Sequence, residues 1–321
     1  MPHSDVTIVR ACVRDGAGGE SGSPTAVLRE APLSDERRRR VPVAAGTSHA
    51  VFVSVAEGRS GIPAVSLRFF TAEGELPACG HGTLAALACA TVSAGSAGSA
   101  GSGTHRVELR TAGRVFEGRC VREGGRVRAS FEAGAVSLRE PTAAERDLVV
   151  PALGVPAGAL GPGLRVASTG RPRLLVPVRS PAVLAGLAPD SGRLRAACDR
   201  LGLLGCYVHS GPTPAGRRAA RMFAPSIGVP EDIANANSTG CLAAHLADGG
   251  ADGDGRHGGG DGGSGGGADG DGGHGVELAV DMGDSLGSPS TITASARPGP
   301  SGPVVWLGGA VEVADVVRLS W

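Results

Sequence analysis

Cys79-Gly80-His81-Gly82 places a thiol and an imidazole two residues apart, among glycines, at the head of the run TLAALACA. A thiol beside an imidazole is the pairing that makes a thiolate available as nucleophile or base near neutral pH. The glycines let backbone N–H groups come close to a ligand. The Ala/Leu run predicts a helix, and a helix N-terminus offers unpaired N–H groups and about half a positive charge to an anion. The stretch therefore reads as a seat for a small carboxylate, with Cys79 and His81 standing beside its reactive carbon. The plainer reading of a cysteine, a small buried apolar residue, is adopted for Cys89 and Cys241 inside their helices.

A second stretch repeats the pattern. Asn237-Ser238-Thr239-Gly240-Cys241 runs into LAAHL, so that Gly82 aligns with Gly240 and Leu84-Ala85-Ala86 with Leu242-Ala243-Ala244. Each is a polar, glycine-containing turn feeding an Ala/Leu helix, one predicted near 80–92 and the other near 238–247. The repeat predicts two similar halves, 1–135 and 136–321, each a curved sheet around one buried small-residue helix. The last strand could cross back into the first half. The two helix N-termini would face each other across the cleft, making Gly80, Gly82, Asn237, Ser238 and Thr239 candidate donors to the carboxylate. Val-rich patches at 51–55, 65–70 and 304–307 predict strands for these sheets.

Composition narrows the function classes. The chain has 321 residues, 41% apolar but only 3% aromatic, so its core must be built from Val, Leu and Ala. A formal net charge of zero argues against a nucleic-acid or membrane-surface role driven by bulk charge. The run Arg37 to Arg40 is predicted to be the solvated side of a short helix capped by Ser34. Every basic residue is arginine, and without a lysine the chain cannot form the Schiff base of a pyridoxal-phosphate enzyme. No metal or nucleotide motif is evident, so no metal or cofactor is expected. Seven cysteines without CxxC spacing, an N-terminus without an apolar h-region and no membrane-length apolar stretch predict a soluble, cytoplasmic protein. Residues 93–103 and 248–275 are too poor in apolar groups to offset their ordering entropy and are predicted to be mobile surface loops. His257 and His274 fall in the second loop, as solvated residues and not as metal ligands.

ELPACGHGTLAALA resembles the helix-opening motif of the PhzF-like (phenazine biosynthesis) isomerases, in which ELP is followed by a small residue, Gly-His and Pro-Thr. RMFAPSIGVPEDIANANSTGCLAAHL, residues 221 to 246, is similar to that family's second motif, where FAP, a GVxED and a PATGSA-type turn lead into the second helix. Gly22 to Leu28 resembles the family's GNPxAVV, and Pro32-Leu33-Ser34 precedes a short helix as it does there. VDMGDSLGSPSTI, residues 280 to 292, is similar to its C-terminal strand with a Gly-x-Pro-Ser turn. The resemblance implies an α+β, diaminopimelate epimerase-like fold of two pseudo-symmetric halves, each a curved β-sheet or barrel around a central α-helix. It also implies a cofactor-independent proton-shifting isomerase acting on a small-molecule carboxylate, in a family whose members are often homodimers.

Departures from the pattern assign the roles. Ser48-His49-Ala50-Val51-Phe52-Val53 matches a strand that carries a Ser-Glu pair in the family, so His49 stands where the catalytic glutamate would be. His49 is expected to be the proton-transferring base, poised near neutral pKa, with Ser48 beside the substrate. Asp232 matches the aspartate of the second motif and would orient the base or share its proton. His81 matches the Gly-His and would bind substrate or assist transfer. Asn237 and Ser238 replace the family's Pro-Ala. Cys79-Gly-His-Gly-Thr instead resembles the first catalytic turn of the proline racemase branch, in which a second cysteine opposes the first. The repeat puts Asn237 there, and an amide cannot take a proton. The expectation is a one-base isomerase acting on a small unsaturated amino- or imino-carboxylate in specialised metabolism, such as a proline-like or dihydropyrrole antibiotic intermediate. A Cys79-based epimerase or hydroxyproline-type dehydratase is one rival. A non-catalytic carboxylate-binding protein is the other.

Overall fold

The computed structural model describes residues 3–17, 20–58, 61–95, 104–123, 126–156, 158–249 and 275–320. The Gly/Ser linker beyond Gly95 and the Gly/Asp run from 250 to 274, with His257 and His274, lie outside the described residues. Among those described, no helix is long and apolar enough to cross a membrane.

The first half is built on β1 (His3–Val13), β2 (Ser23–Arg29), α1 (Asp35–Ala44), β3 (His49–Glu57), β4 (Pro63–Phe70), β5 (Glu75–Leu76), α2 (Gly80–Gly95), β6 (His105–Thr111), β7 (Arg114–Glu123) and β8 (Arg126–Ala135). Pairing runs β1-β2-β3-β4-β6-β7-β8, and the final strand of the chain, β17 (Val304–Ser320), pairs with both β8 and β1 to close the circuit. Enclosed by it lies α2. Leu84, Ala85, Ala86 and Leu87 are fully buried, as a helix without a polar face must be. A Cβ on Gly118 of β7 would come 2.7 Å from Leu87, so a glycine is what lets the sheet close on this helix.

The second half repeats the plan with β9 (Ser137–Arg139), α3 (Ala143–Ala152), β10 (Arg165–Ser168), β11 (Pro172–Val178), α4 (Pro181–Ala185), α5 (Ser191–Leu201), β12 (Cys206–Ser210), β13 (Arg218–Ala224), β14 (Val229–Asp232), α6 (Ala236–Ala247), β15 (Val276–Met282) and β16 (Ser290–Arg297). The order β9-β10-β11-β12-β13-β15-β16-β17 wraps α6, whose residues from Ser238 to Ala244 are buried. A Cβ on Gly240 would meet Val305 at 2.9 Å and Leu307 at 3.0 Å, so here the glycine that permits close packing is on the helix and not on the strand. The architecture is mixed α+β, one sheet circuit around one helix, twice.

Two sequence expectations change here. Ser34 does cap α1, accepting from Arg37 N. Arg38, however, is not solvated: it is 4% exposed, ion-paired to Glu30 and stacked 4.6 Å over Phe52. Phe52 of β3 supplies an aromatic face and Glu30, just past the end of β2, a carboxylate, so one arginine of the four turns inward. Residues 93–95 complete α2 and are not linker.

Candidate active site

The β4–β5 hairpin aims the Cys79-Gly80-His81 turn. Phe70 pairs with Glu75 and Phe69 with Leu76, and Arg68 holds Glu75 at 2.7 Å. Pro77-Ala78 then delivers Cys79 to the head of α2, where its carbonyl accepts from Thr83 N at 2.9 Å and Thr83 Oγ1 at 2.8 Å. In the second half β14 ends at Asp232, steadied by the Arg221–Glu231 ion pair at 2.7 Å. Asn235 caps α6, accepting from Ser238 N at 3.0 Å, and its Nδ2 donates to Asp232 Oδ2 at 2.9 Å. The two helix heads meet: a Cβ on Gly80 would fall 2.6 Å from Ala236 Cβ and 3.2 Å from Asn237 N. His81 ties the halves together through Nδ1, 2.8 Å from the carbonyl of Ala234. A cavity of about 430 Å³ opens at this junction, and His49, Cys79, Gly80, His81, Asp232 and Asn237 all line it.

His49 enters as the first residue of β3, in register with Thr25 of β2. Its ring stands edge-on to His81, with centroids 4.4 Å apart at 85°. Cys79 Sγ lies 3.5 Å from His81 Nε2. Burial opposes a charge on His81, but the charge and hydrogen bond of Cys79, the Asp232 carboxylate and the Ala234 carbonyl outweigh it and push the pKa up to about 9. Burial, and then the neighbouring His81, hold His49 well below its ordinary value. His49 is therefore not poised near neutrality as the sequence suggests, because a cationic neighbour and a dry pocket both favour the neutral ring. The proton is thus favoured on His81 and disfavoured on His49, which leaves His49 the better placed of the two to accept one. If His49 Nδ1 donates to the Ser48 hydroxyl, 2.9 Å away, Nε2 is the bare nitrogen.

The ligand atoms of His49, Cys79 and His81 all lie within 4.8 Å of one another, close enough to pass a proton or to share a soft divalent ion. That donor set is assembled from β3, the residue preceding α2 and the first turn of α2, so CxxC-type spacing gives no sign of it.

The sequence pattern of the phenazine biosynthesis-like family, PhzC-PhzF, matches residues 19–264. The chain belongs to this family. An uncharacterized isomerase of Deinococcus radiodurans is 31% identical over 237 residues, 72% of this chain and 72% of that one. The trans-2,3-dihydro-3-hydroxyanthranilate isomerase of Pseudomonas aeruginosa is 31% identical over 232 residues, 70% of this chain and 74% of its own. The crystal structure of a PhzF-family phenazine biosynthesis protein from Bacillus anthracis superposes over the whole of both chains with a TM-score of 0.76 at 16% identity, a likeness of fold. The two-halved architecture is the diaminopimelate epimerase-like fold of the PhzF family, and its named relatives are isomerases.

Within this PhzF-like frame the expected residues divide. His49, Cys79, His81 and Asp232 are brought together, with Gly80 and Asn237 at the cavity wall. Four other expected substrate contacts turn away. Ser48 is exposed behind His49 and outside the wall. Gly82 is packed within the helix, where a Cβ would press Cys79 Sγ at 3.0 Å. Ser238 and Thr239 are fully buried; their hydroxyls meet Arg173 and Met222, and Tyr207 and Asn235. The reason is the early start of α6 at Ala236, which rotates both side chains into the barrel. Asp232 closes a strand and does not sit in a turn. Asn235 is absent from the sequence assignment because NANSTG offers several equally good caps. Arg173 is absent because a lone arginine in PRLLVPV looks like the polar face of a strand.

Access makes one expectation direct. Cys79 lines the cavity, whereas burial pushes Cys89 up to about 12 and Cys120 up to about 11 and raises Cys12 and Cys241. Iodoacetamide at pH 8 should label Cys79 at least about tenfold faster than those four, because a small reagent reaches its sulfur through the cavity. Peptide mass spectrometry against time reads the order.

The histidines also set the pH dependence of stability. Burial and then the Arg218 guanidinium hold His209 down to about 3, and His49 is likewise lowered. For both, the unfolded chain binds more protons below about 6.5, so stability present above that pH is lost as pH falls, each at about 1.4 kcal/mol per unit. His81 has the opposite sign: its contribution is complete below about 6.5 and is lost as pH rises towards 9. Urea unfolding should show greatest stability near pH 6.5, and His209→Gln should flatten the acid limb while leaving the alkaline limb unchanged.

Proposed function

We propose that the chain is a cofactor-independent isomerase that moves a proton between carbons of a small unsaturated amino- or imino-carboxylate. One observation carries the reading: His49 and His81 face each other, 4.4 Å between centroids, beside two helix N-termini, with the proton disfavoured on His49 and favoured on His81. The substrate carboxylate docks on the free N–H groups of those helix heads. Its negative charge also raises the pKa of His49, which turns a weak base into a competent one on binding. His49 Nε2 takes the proton from one carbon and returns it to another on the same face. His81, with Cys79 beside it, offsets charge as it develops on the conjugated system. Asp232, gripped by Asn235, supports the His81 cation from the second half.

A proline-like or dihydropyrrole acid of specialised metabolism is the finer substrate reading, supported by the substituted glutamate position and the small cavity. Trans-2,3-dihydro-3-hydroxyanthranilate, the substrate named for the Pseudomonas relative, is the first compound to try. Purified protein in deuterated buffer is followed by NMR with it and with a panel of unsaturated imino acids. A shifted double bond supports the reading; recovery of every compound unchanged and unlabelled sinks it in favour of a binding protein.

The Cys79–His81 contact favours one rival, a cysteine-based epimerase. Inversion at a single carbon without double-bond migration, lost on Cys79→Ala, would be its signature.

A further inference from the structure

Arg173 is the second residue of β11, is 2% exposed, and lines the same cavity. Its Nη1 donates to Ser238 Oγ at 3.3 Å and its Nη2 to the Arg171 carbonyl at 2.8 Å, while Nε is buried without a partner. Of five guanidinium N–H donors, three are left over. Among the described residues no carboxylate pairs with it. Other deep arginines are matched: Arg38 holds Glu30 and Arg221 holds Glu231. A buried guanidinium without a carboxylate carries an uncompensated desolvation penalty, which the negative charge of a ligand would offset.

In the proposed isomerase the N–H groups at the heads of α2 and α6 take one carboxylate. Ser238 N is capped by Asn235, which leaves the preceding N–H of Asn237 facing Gly80 at the junction. Arg173 approaches from β11, beneath the first turn of α6, as a separate and complete positive charge. We propose that the substrate is a dicarboxylate whose second carboxylate is bound by Arg173. This rests on the carboxylate-isomerase reading above and narrows its substrate class. The second anchor fixes which face and which end of the molecule meets His49, because two fixed points leave a small ligand only rotation about the line joining them.

Calorimetric titration with malonate, succinate and glutarate, each set against the monocarboxylate of equal chain length, tests the assignment without knowledge of the substrate. At least one diacid should bind the wild-type protein ten or more times tighter than its monoacid. Arg173→Met should abolish that preference, keep monocarboxylate affinity within about twofold, and melt at or above the wild-type temperature, since an unmatched buried charge has gone. Arg173→Lys should keep part of the preference. Equal binding of mono- and diacids by the wild type overturns the assignment and leaves the carboxylate seat standing. So does a preference that survives Arg173→Met, or a variant that loses both affinities and several degrees of melting temperature, which would mark Arg173 as structural. Binding of neither class would sink the carboxylate seat itself.

Discussion

His49→Ala should lower the isomerisation rate by about 10²–10⁴-fold, the usual worth of a positioned general base. The fold should survive, because His49 begins β3 and its backbone register with Thr25 does not depend on the ring. Carboxylate binding should survive too, since the helix heads do not use the imidazole. The loss therefore belongs in kcat and not in affinity. Two further variants sharpen the result. His49→Glu places a carboxylate beside the His81 cation, at the position where the PhzF pattern carries glutamate, and should recover part of the rate. Cys79→Ala should cost less than His49→Ala if Cys79 only supports His81. The reverse order, a nearly dead Cys79→Ala with an active His49→Ala, would hand the chemistry to the thiol. Steady-state NMR kinetics on all three variants, with thermal shift by a carboxylate as a check on binding, decides between them. The alkaline limb of the wild-type rate should fall near pH 9, where His81 loses its proton.

Gly80→Ala is the second large effect, and it is one of geometry. The added methyl would lie 2.6 Å from Ala236 Cβ and 3.2 Å from Asn237 N, well inside contact distance. Ala236 is fully buried and cannot swing aside, so the helix heads must part. Overpacking of this kind costs about 1–3 kcal/mol of stability. The larger consequence is for catalysis: displacement of reacting groups by about 1 Å costs about 10²-fold in rate. A fall in kcat/KM of that size is expected, with Gly211→Ala, where the new Cβ meets nothing within 4 Å, behaving as wild type. The double change Gly80→Ala with Ala236→Gly returns the space and should recover much of the activity. Non-additivity of that kind is the sign that the two helix heads act as one seat. Additive losses instead would mean that the junction is not where the ligand binds.

Much of this site could be read from the chain. The Ala/Leu periodicity of both helices, with glycine in each opening turn, is a local signal, and the closeness of Gly80 to Asn237 follows from repeating one plan twice. The place of His49 at the cavity wall was legible through its strand, since β3 begins at that residue. What escaped depends on rotation and depth, which sequence types do not encode. Ser238 and Thr239 are polar residues in a polar turn, but the early start of α6 sends both hydroxyls inward. Arg38 looks like its three neighbours in an arginine run until Phe52 and Glu30 are folded beneath it. The lowered pKa of His49 is also non-local, because it comes first from burial in the folded cavity and then from His81, 32 positions along the chain.

The place of β17 bears on how the chain matures during synthesis. Both sheet circuits need this strand, and the first ends at Ala135 while β17 begins at Val304. A ribosome adding about 5–20 residues per second needs roughly 10–30 s to cover that interval. For all of it the nascent first half holds β1 and β8 as bare edges, open to pairing with any other strand in reach. The slow event in making this protein is thus the wait for its last seventeen-residue strand, and expression at lower temperature or with a chaperone that shields strand edges should raise the soluble yield.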